Sequence, residues 1–174
     1  MRKVAIVTSA SGAGGTTVGR ELAARLDLPF HELDALFWKP GWTEPEPDEF
    51  RAKVAAVVTT DSWVIDGSYQ SWLGQSVLEH ADVVVWLDLP VRVWLPRLVA
   101  RTFRRAITGE SLWGTNRETI RGALFSRDSL LLFTARHYRR RQRIYPERFA
   151  TYEVVRLRSQ AEVDAFLRSV APET

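Results

Sequence analysis

Short unbroken apolar runs alternate along the chain with longer stretches in which apolar residues return every three or four positions. Val4-Ala5-Ile6-Val7 contains no polar residue, which predicts a strand buried on both faces, as in a parallel sheet. From Thr16 the spacing turns helical, with Val18, Leu22 and Leu26 on one face. Pro29-Phe30 to Leu33 predicts a short second strand that Asp34 ends, two residues after Glu32 and facing the same way, Trp63-Val64-Ile65 a third, Ala81 to Leu87 a fourth and Val154 to Leu157 a last. Helices are expected from a cap at Asp48 to about Val58, from near Val93 with Pro96 delaying or kinking it, over roughly Ser126 to Tyr145, and over Gln160 to Val170. Residues 38–48, rich in Pro and Gly, and residues 106–118 read as irregular loops. Strands separated by helices form βαβ units, so the expected fold is α/β, with a five-stranded parallel sheet. No repeat or linker divides the 174 residues, which predicts one domain over 1–174.

Composition narrows the class. Hydrophobic residues at 45% and charged residues at 26% are ordinary for a soluble globular protein. No apolar run approaches the ~18 residues that span a bilayer, and the six mostly apolar residues after Lys3 are too few for a signal peptide's core. The chain has no cysteine, which excludes disulfides, thiolate metal sites and a cysteine nucleophile. A cytoplasmic protein with no membrane partner is expected. His31, His80 and His137 are scattered and make no zinc pattern.

Net charge is +3, but its distribution is uneven. Arg97, Arg101, Arg104 and Arg105 form one cluster and Arg136, Arg139, Arg140, Arg141 and Arg143 another, while acids concentrate between Glu32 and Glu49. Such a pattern suits a polyanionic ligand held near one part of the surface. Interleaved aromatics are sparse in the second cluster, so a solvated helix face is the preferred reading there over a nucleic-acid surface.

The segment between first strand and first helix carries the chemistry. It reads Ser9-Ala10-Ser11-Gly12-Ala13-Gly14-Gly15-Thr16-Thr17. Glycines permit the left-handed backbone angles that turn successive N–H groups toward one anion. The helix start adds open donors and the positive end of a dipole, and a hydroxyl there can ligate Mg²⁺. Against G-x-x-x-x-G-K-[ST], Gly14 and Thr16 match, whereas Ser9 replaces the first glycine and Gly15 the lysine. Residues 11–17 are the expected phosphate-binding set, with ATP as the nucleotide and Thr16 toward Mg²⁺.

That loop recurs together with His31-Glu32-Leu33-Asp34, Lys39-Pro40-Gly41-Trp42, Trp63-Val64-Ile65-Asp66-Gly67-Ser68-Tyr69 and Val84-Val85-Trp86-Leu87-Asp88-Leu89-Pro90. Arg97, Arg101 and Phe125-Ser126-Arg127-Asp128-Ser129 follow in the same order. In this the chain resembles the bacterial adenylate-kinase-related P-loop proteins labelled topology modulation proteins. The resemblance implies a three-layer P-loop fold of the nucleoside-monophosphate-kinase type, with helices on both faces of the sheet and a helical lid, here 106–128. It implies that Asp66 is the Walker B carboxylate holding Mg²⁺. It also implies that Asp34 meets the phosphoryl acceptor and that Arg97 and Arg101 close on the transferring phosphoryl group. On the residues alone, Asp66, although its strand-end position favours a ligand role, can also be a turn Asp before Gly67, Asp34 a helix or turn cap, and the arginines a solvated face. Asp88 and the pair Trp38 and Trp42 read as structural.

Two functions remain open. One is a kinase passing the ATP γ-phosphate to a small hydroxylated acceptor, with Arg97, Arg101, Arg117, Arg121 or Arg127 supplying the missing charge. The other is a nucleotide-binding or regulatory protein, because losing a cation beside the phosphates costs a few kcal/mol at an intermediate dielectric. A lysine restored at 15 would regain affinity unless another residue has moved into its space.

Overall fold

All four residues of the first apolar run are buried, Val4 and Ile6 in one half of the core and Ala5 and Val7 in the other. A strand with protein on both faces must lie inside a layered sheet. The computed structural model describes residues 1–117 and 130–170. The chain runs β1 (Lys3–Thr8), α1 (Gly15–Leu26), β2 (Phe30–Glu32), α2 (Leu33–Phe37), α3 (Pro47–Val58) and β3 (Trp63–Asp66). Two single turns, α4 (Gln70–Leu73) and α5 (Ser76–Glu79), lead into β4 (Val83–Leu87) and the long α6 (Val91–Thr108). A small hairpin follows, β5 (Ser111–Leu112) and β6 (Asn116–Arg117), then α7 (Leu130–Arg148), β7 (Val154–Leu157) and α8 (Gln160–Ser169).

The main sheet has five strands in the order β2-β3-β1-β4-β7, all parallel. One face packs on α1, α6 and α8 through Leu22, Leu98 and Val163. The other packs on α2 and α3 through Phe37, Phe50 and Val54, and takes Tyr145 and Phe149 from α7. The expected α/β architecture is what the structure has. Its chain order steps from β1 outward in both directions, so the C-terminal ends of β1 and β3 border the crevice where such sheets hold ligands. The register sets Ile6 beside Asp66 and Glu32 beside Asp66 at that edge.

Several boundaries differ from the sequence reading for physical reasons. Asp34 does not end the second strand. Leu33 and Phe37 are both buried, four apart, so the segment closes into a helical turn whose first residues include Asp34. Asp48 is not a cap: Glu46 is the cap and Pro47, with its preset φ, opens α3. Helix α6 starts at Val91, ahead of Pro96, because Trp94, Leu98 and Thr102 bury one continuous face across the missing N–H. Residues 106–108 finish this helix at Gly109, and 111–117 form the hairpin, so 106–118 is no plain loop. The rest of the expected lid, with Arg121 and Arg127, and the segment Phe125 to Ser129, lie outside the described residues, as does the start expected for α7 at Ser126.

Candidate functional site

The loop from Ser9 to Gly14 turns sharply between β1 and α1. Gly12 and Gly14 have φ of 85° and 95°, angles that side chains strain to adopt. Gly12 has a second constraint: a Cβ there would lie 2.6 Å from the Trp94 carbonyl oxygen, because α6 rests directly on the loop. Gly14 is the N-cap of α1 and offers no side chain, so the first amides of that helix are left for an anion. Ser11, Gly12, Ala13, Gly14, Gly15, Thr16 and Thr17 thus form the concave turn and helix start that the sequence predicts.

Ser9 is not merely a mismatched glycine. It is fully buried, its hydroxyl donates to Asp88 Oδ1 at 2.8 Å, and it accepts from Trp86 Nε1 at 2.8 Å. Asp88 also accepts from Gln142 Nε2 (3.0 Å) and from Arg156 Nε and Nη2 (3.1 and 2.6 Å). The Arg156 guanidinium in turn lies over the Trp86 ring, 4.0 Å from its centroid. The loop's first residue is therefore pinned to β4, β7 and α7 at once.

Acids gather on the opposite side. The Thr16 hydroxyl donates to Asp66 Oδ2 at 2.8 Å and lies 3.1 Å from Glu32 Oε1. Desolvation first, with Asp34 and Glu32 adding to it and Thr16 and Arg101 opposing, leaves the Asp66 carboxyl pushed up to about 7. Asp34 is raised as well, again mainly by burial, and Tyr69, whose hydroxyl donates to Asp34 Oδ1, is the largest opposing influence. Tyr69 itself is held protonated far above its usual range by burial and by that carboxylate. The oxygen-only donor set of Thr16, Asp66 and Glu32 suits a hard cation such as Mg²⁺. Among the described residues, no three His, Asp or Glu side chains are placed to hold a metal by themselves, so such an ion would depend on phosphate and water oxygens too.

The arginine stripe of α6 splits. Arg101 lies close enough to lower the pKa of both Asp34 and Asp66, and Arg105 acts on Asp34. Arg97 instead donates to Gln160 Oε1 at 2.8 Å at the start of α8, and it is exposed. Arg104 and Arg105 approach Glu110 at 3.4 and 3.5 Å. The structure thus brings Asp34, Asp66, Thr16 and Arg101 together and leaves Arg97 apart.

Beside Asp34 stands an aromatic wall. Phe37 meets Trp38, Phe50, Tyr69 and Trp72 with centroids 4.6–5.0 Å away. Trp42 packs edge-on against Trp38 and Trp113 (5.4 and 5.8 Å). The Trp42 N–H donates to Asn116 Oδ1 (2.8 Å) and Asn116 Nδ2 to the Lys39 carbonyl (3.0 Å), which fastens loop 38–43 to the hairpin.

No family model matches the chain. The uncharacterized protein YqaC of Bacillus subtilis (strain 168) is 29% identical over 107 residues, a match covering 60% of each chain. Solved structures match almost end to end. A shikimate kinase from Acinetobacter baumannii, in complex with shikimate, superposes with a TM-score of 0.61 at 19% identity, covering 98% of this chain and 91% of that one. A gluconokinase from Sinorhizobium meliloti 1021 gives 0.54 at 19% over 98% and 93%. A deoxyadenosine kinase from M. mycoides with bound dATP gives 0.54 at 12% over 96% and 98%. At these identities the likeness is one of fold: the chain has the fold of P-loop kinases.

Sequence reasoning assigns no role to Tyr69, which it quotes only within a recurring segment, nor to Asn116 or Arg156. Tyr69 follows the end of β3 by three residues, close enough to a ligand-bearing strand end to be a usable signal, and its hydroxyl reaches Asp34. The partners Arg156 and Asn116 lie 68 residues from Asp88 and 74 from Trp42, a pairing no local pattern encodes.

Proposed function

We propose that this protein is a cytoplasmic ATP-dependent kinase that passes the γ-phosphate to a hydroxyl of a small acceptor. The observation that carries this reading is the meeting, at one sheet edge, of an open glycine-rich helix start with Thr16, Asp66, Asp34 and Arg101. Phosphoryl transfer asks of a protein mostly positioning and charge placement. The amides of 11–17 would cradle the ATP phosphates. Thr16 and Asp66 would hold Mg²⁺, which neutralises phosphate charge. Asp34 accepts a hydrogen bond from the Tyr69 hydroxyl, and its pKa, raised by burial, makes it a stronger base for the proton of an acceptor hydroxyl. Arg101 would meet the charge of the moving group. The aromatic wall beside Asp34 would keep water away from the acceptor. A second reading, nucleotide binding without transfer, is favoured by one observation: Gly15 stands at the lysine position.

The deciding experiment incubates the protein with Mg-ATP and a panel of nucleosides, nucleotides and hydroxylated metabolites and follows ADP. Acceptor-dependent ADP release that disappears in Asp34→Ala and Asp66→Ala is the expected result. Binding of Mg-ATP without turnover on any acceptor would favour the second reading. Absence of both binding and a melting shift would sink the two together.

A further inference from the structure

Gly15 is glycine for a reason visible in its surroundings. A Cβ on this residue would fall 2.3 Å from Asp66 Oδ1, 3.0 Å from its Cγ and 3.0 Å from Thr8 Cγ2. The carboxylate that receives the Thr16 hydroxyl thus fills the space where any side chain at 15 would begin. A lysine cannot be added here without displacing Asp66, so a cation for the phosphates has to approach from another direction.

The opposite shoulder of the loop has one. Arg141 is part-buried and extends from α7, and its Nη1 donates to the Ser9 carbonyl at 3.5 Å. Its neighbours Arg136, Arg139, Arg140 and Arg143 are exposed, so the run reads as a solvated face from which one member turns inward. Two further bonds hold the helix in that pose: Tyr138 donates to the Leu89 carbonyl (3.2 Å), and Gln142 to Asp88 Oδ1 (3.0 Å). The guanidinium also rests over Phe133, 5.8 Å from the ring centroid. Its bond to Ser9 is long and made to a neutral oxygen. Charge-assisted, bidentate bonds to a phosphate are shorter and about twice as strong, so a nucleotide entering the loop would outcompete the carbonyl.

We propose that Arg141 is the phosphate-binding cation of this site, delivered from α7 in place of a lysine at position 15. The assignment rests on the nucleotide-binding reading above. It differs from the sequence expectation, which looked to Arg97, Arg101 and the lid arginines.

The test measures, by calorimetry on the full chain, the affinity for Mg-ATP, Mg-ADP and adenosine in the wild type and in Arg141→Gln, Arg141→Lys and Gly15→Lys. Arg141→Gln is expected to weaken ATP and ADP by about 10- to 100-fold while adenosine binding and Tm stay unchanged. Arg141→Lys should recover part of that loss, and Gly15→Lys should weaken ATP rather than strengthen it. ATP affinity unaltered in Arg141→Gln would overturn the assignment. So would an equal loss for ATP and adenosine, since that marks a merely structural role. A wild type that binds neither ATP nor adenosine would overturn the nucleotide reading, and this assignment with it. Wild-type ATP binding that survives every Arg141 variant would overturn the assignment alone.

Discussion

Removing the Asp88 carboxylate strands four donor groups on three residues in one step. Asp88 is 5% exposed and holds the Ser9 hydroxyl, Gln142 Nε2 and two N–H groups of Arg156. In Asp88→Ala the buried Ser9 hydroxyl loses its acceptor, at about 1–3 kcal/mol. The Arg156 side chain is 30% exposed, so water can re-solvate it and its share is about 1–2 kcal/mol rather than the full loss for a buried pair. Gln142 keeps its contact with the Tyr138 hydroxyl (3.0 Å) and adds only about 0.5 kcal/mol. The expected total is about 3–5 kcal/mol, or a fall in Tm of roughly 10–15 °C for a chain this long. Asp88→Asn keeps one acceptor oxygen and should lose about 1–2 kcal/mol. Urea denaturation followed by circular dichroism measures both, with an unchanged m-value as the control. Because Ser9 opens the loop, Mg-ATP affinity should fall along with stability. An Asp88→Ala protein within about 1 kcal/mol of wild type at constant m would show that the network does not hold the loop.

Other perturbations probe the neighbouring parts. Asp66 ionises at about 7 in the folded chain against an ordinary 3.8, so its protonation favours the folded state; this stabilisation is present below pH ~4 and is lost as pH rises through ~7. The full shift corresponds to about 4 kcal/mol across that window; Asp66→Asn should flatten the pH dependence of Tm without ligand, and an unchanged slope would refute the burial argument. Gly12→Ala combines a φ of 85° with a clash against the Trp94 carbonyl and should cost about 2–4 kcal/mol in a thermal melt. Tyr69→Phe removes the strongest influence lowering the Asp34 pKa, so the acidic limb of a kcat/KM profile should move to higher pH; no movement would argue against Asp34 as the base. Asn116→Ala loses its bonds to Trp42 and Lys39 and should speed hydrogen exchange at the Trp42 amide while leaving global stability within about 1 kcal/mol.

Most of the architecture was legible because unbroken apolar runs such as Val4 to Val7 have one good explanation, a sheet covered on both faces. The glycine-rich turn was legible for the same local reason: Gly12, Gly14 and Thr16 alternate over five positions between strand and helix. What could not be read was anything that depends on distant packing. Asp34 shifted from strand to helix because Phe37 found a buried place beside Phe50 and Trp72. Pro96 stayed inside α6 because tertiary burial outweighed one lost hydrogen bond. Gly15 looked like a missing lysine, and only the position of Asp66 shows why a side chain has no room there. Ser9 looked like a poor glycine until Trp86 and Asp88 closed around it.

The hydrogen bond between the Trp86 indole and Ser9 places a fluorophore against the loop that would receive a nucleotide. Trp86 is 2% exposed, whereas Trp38, Trp42 and Trp113 are only half-buried and pack against one another beyond the aromatic wall. Emission from the two environments should differ in wavelength, Trp86 with the equally buried Trp63 and Trp94 to the blue and the half-buried trio to the red. The protein therefore carries its own optical labels at both ends of the site. With Trp86→Phe as the subtraction control, titrating nucleotide should alter the blue component and titrating acceptor the red, without any added dye.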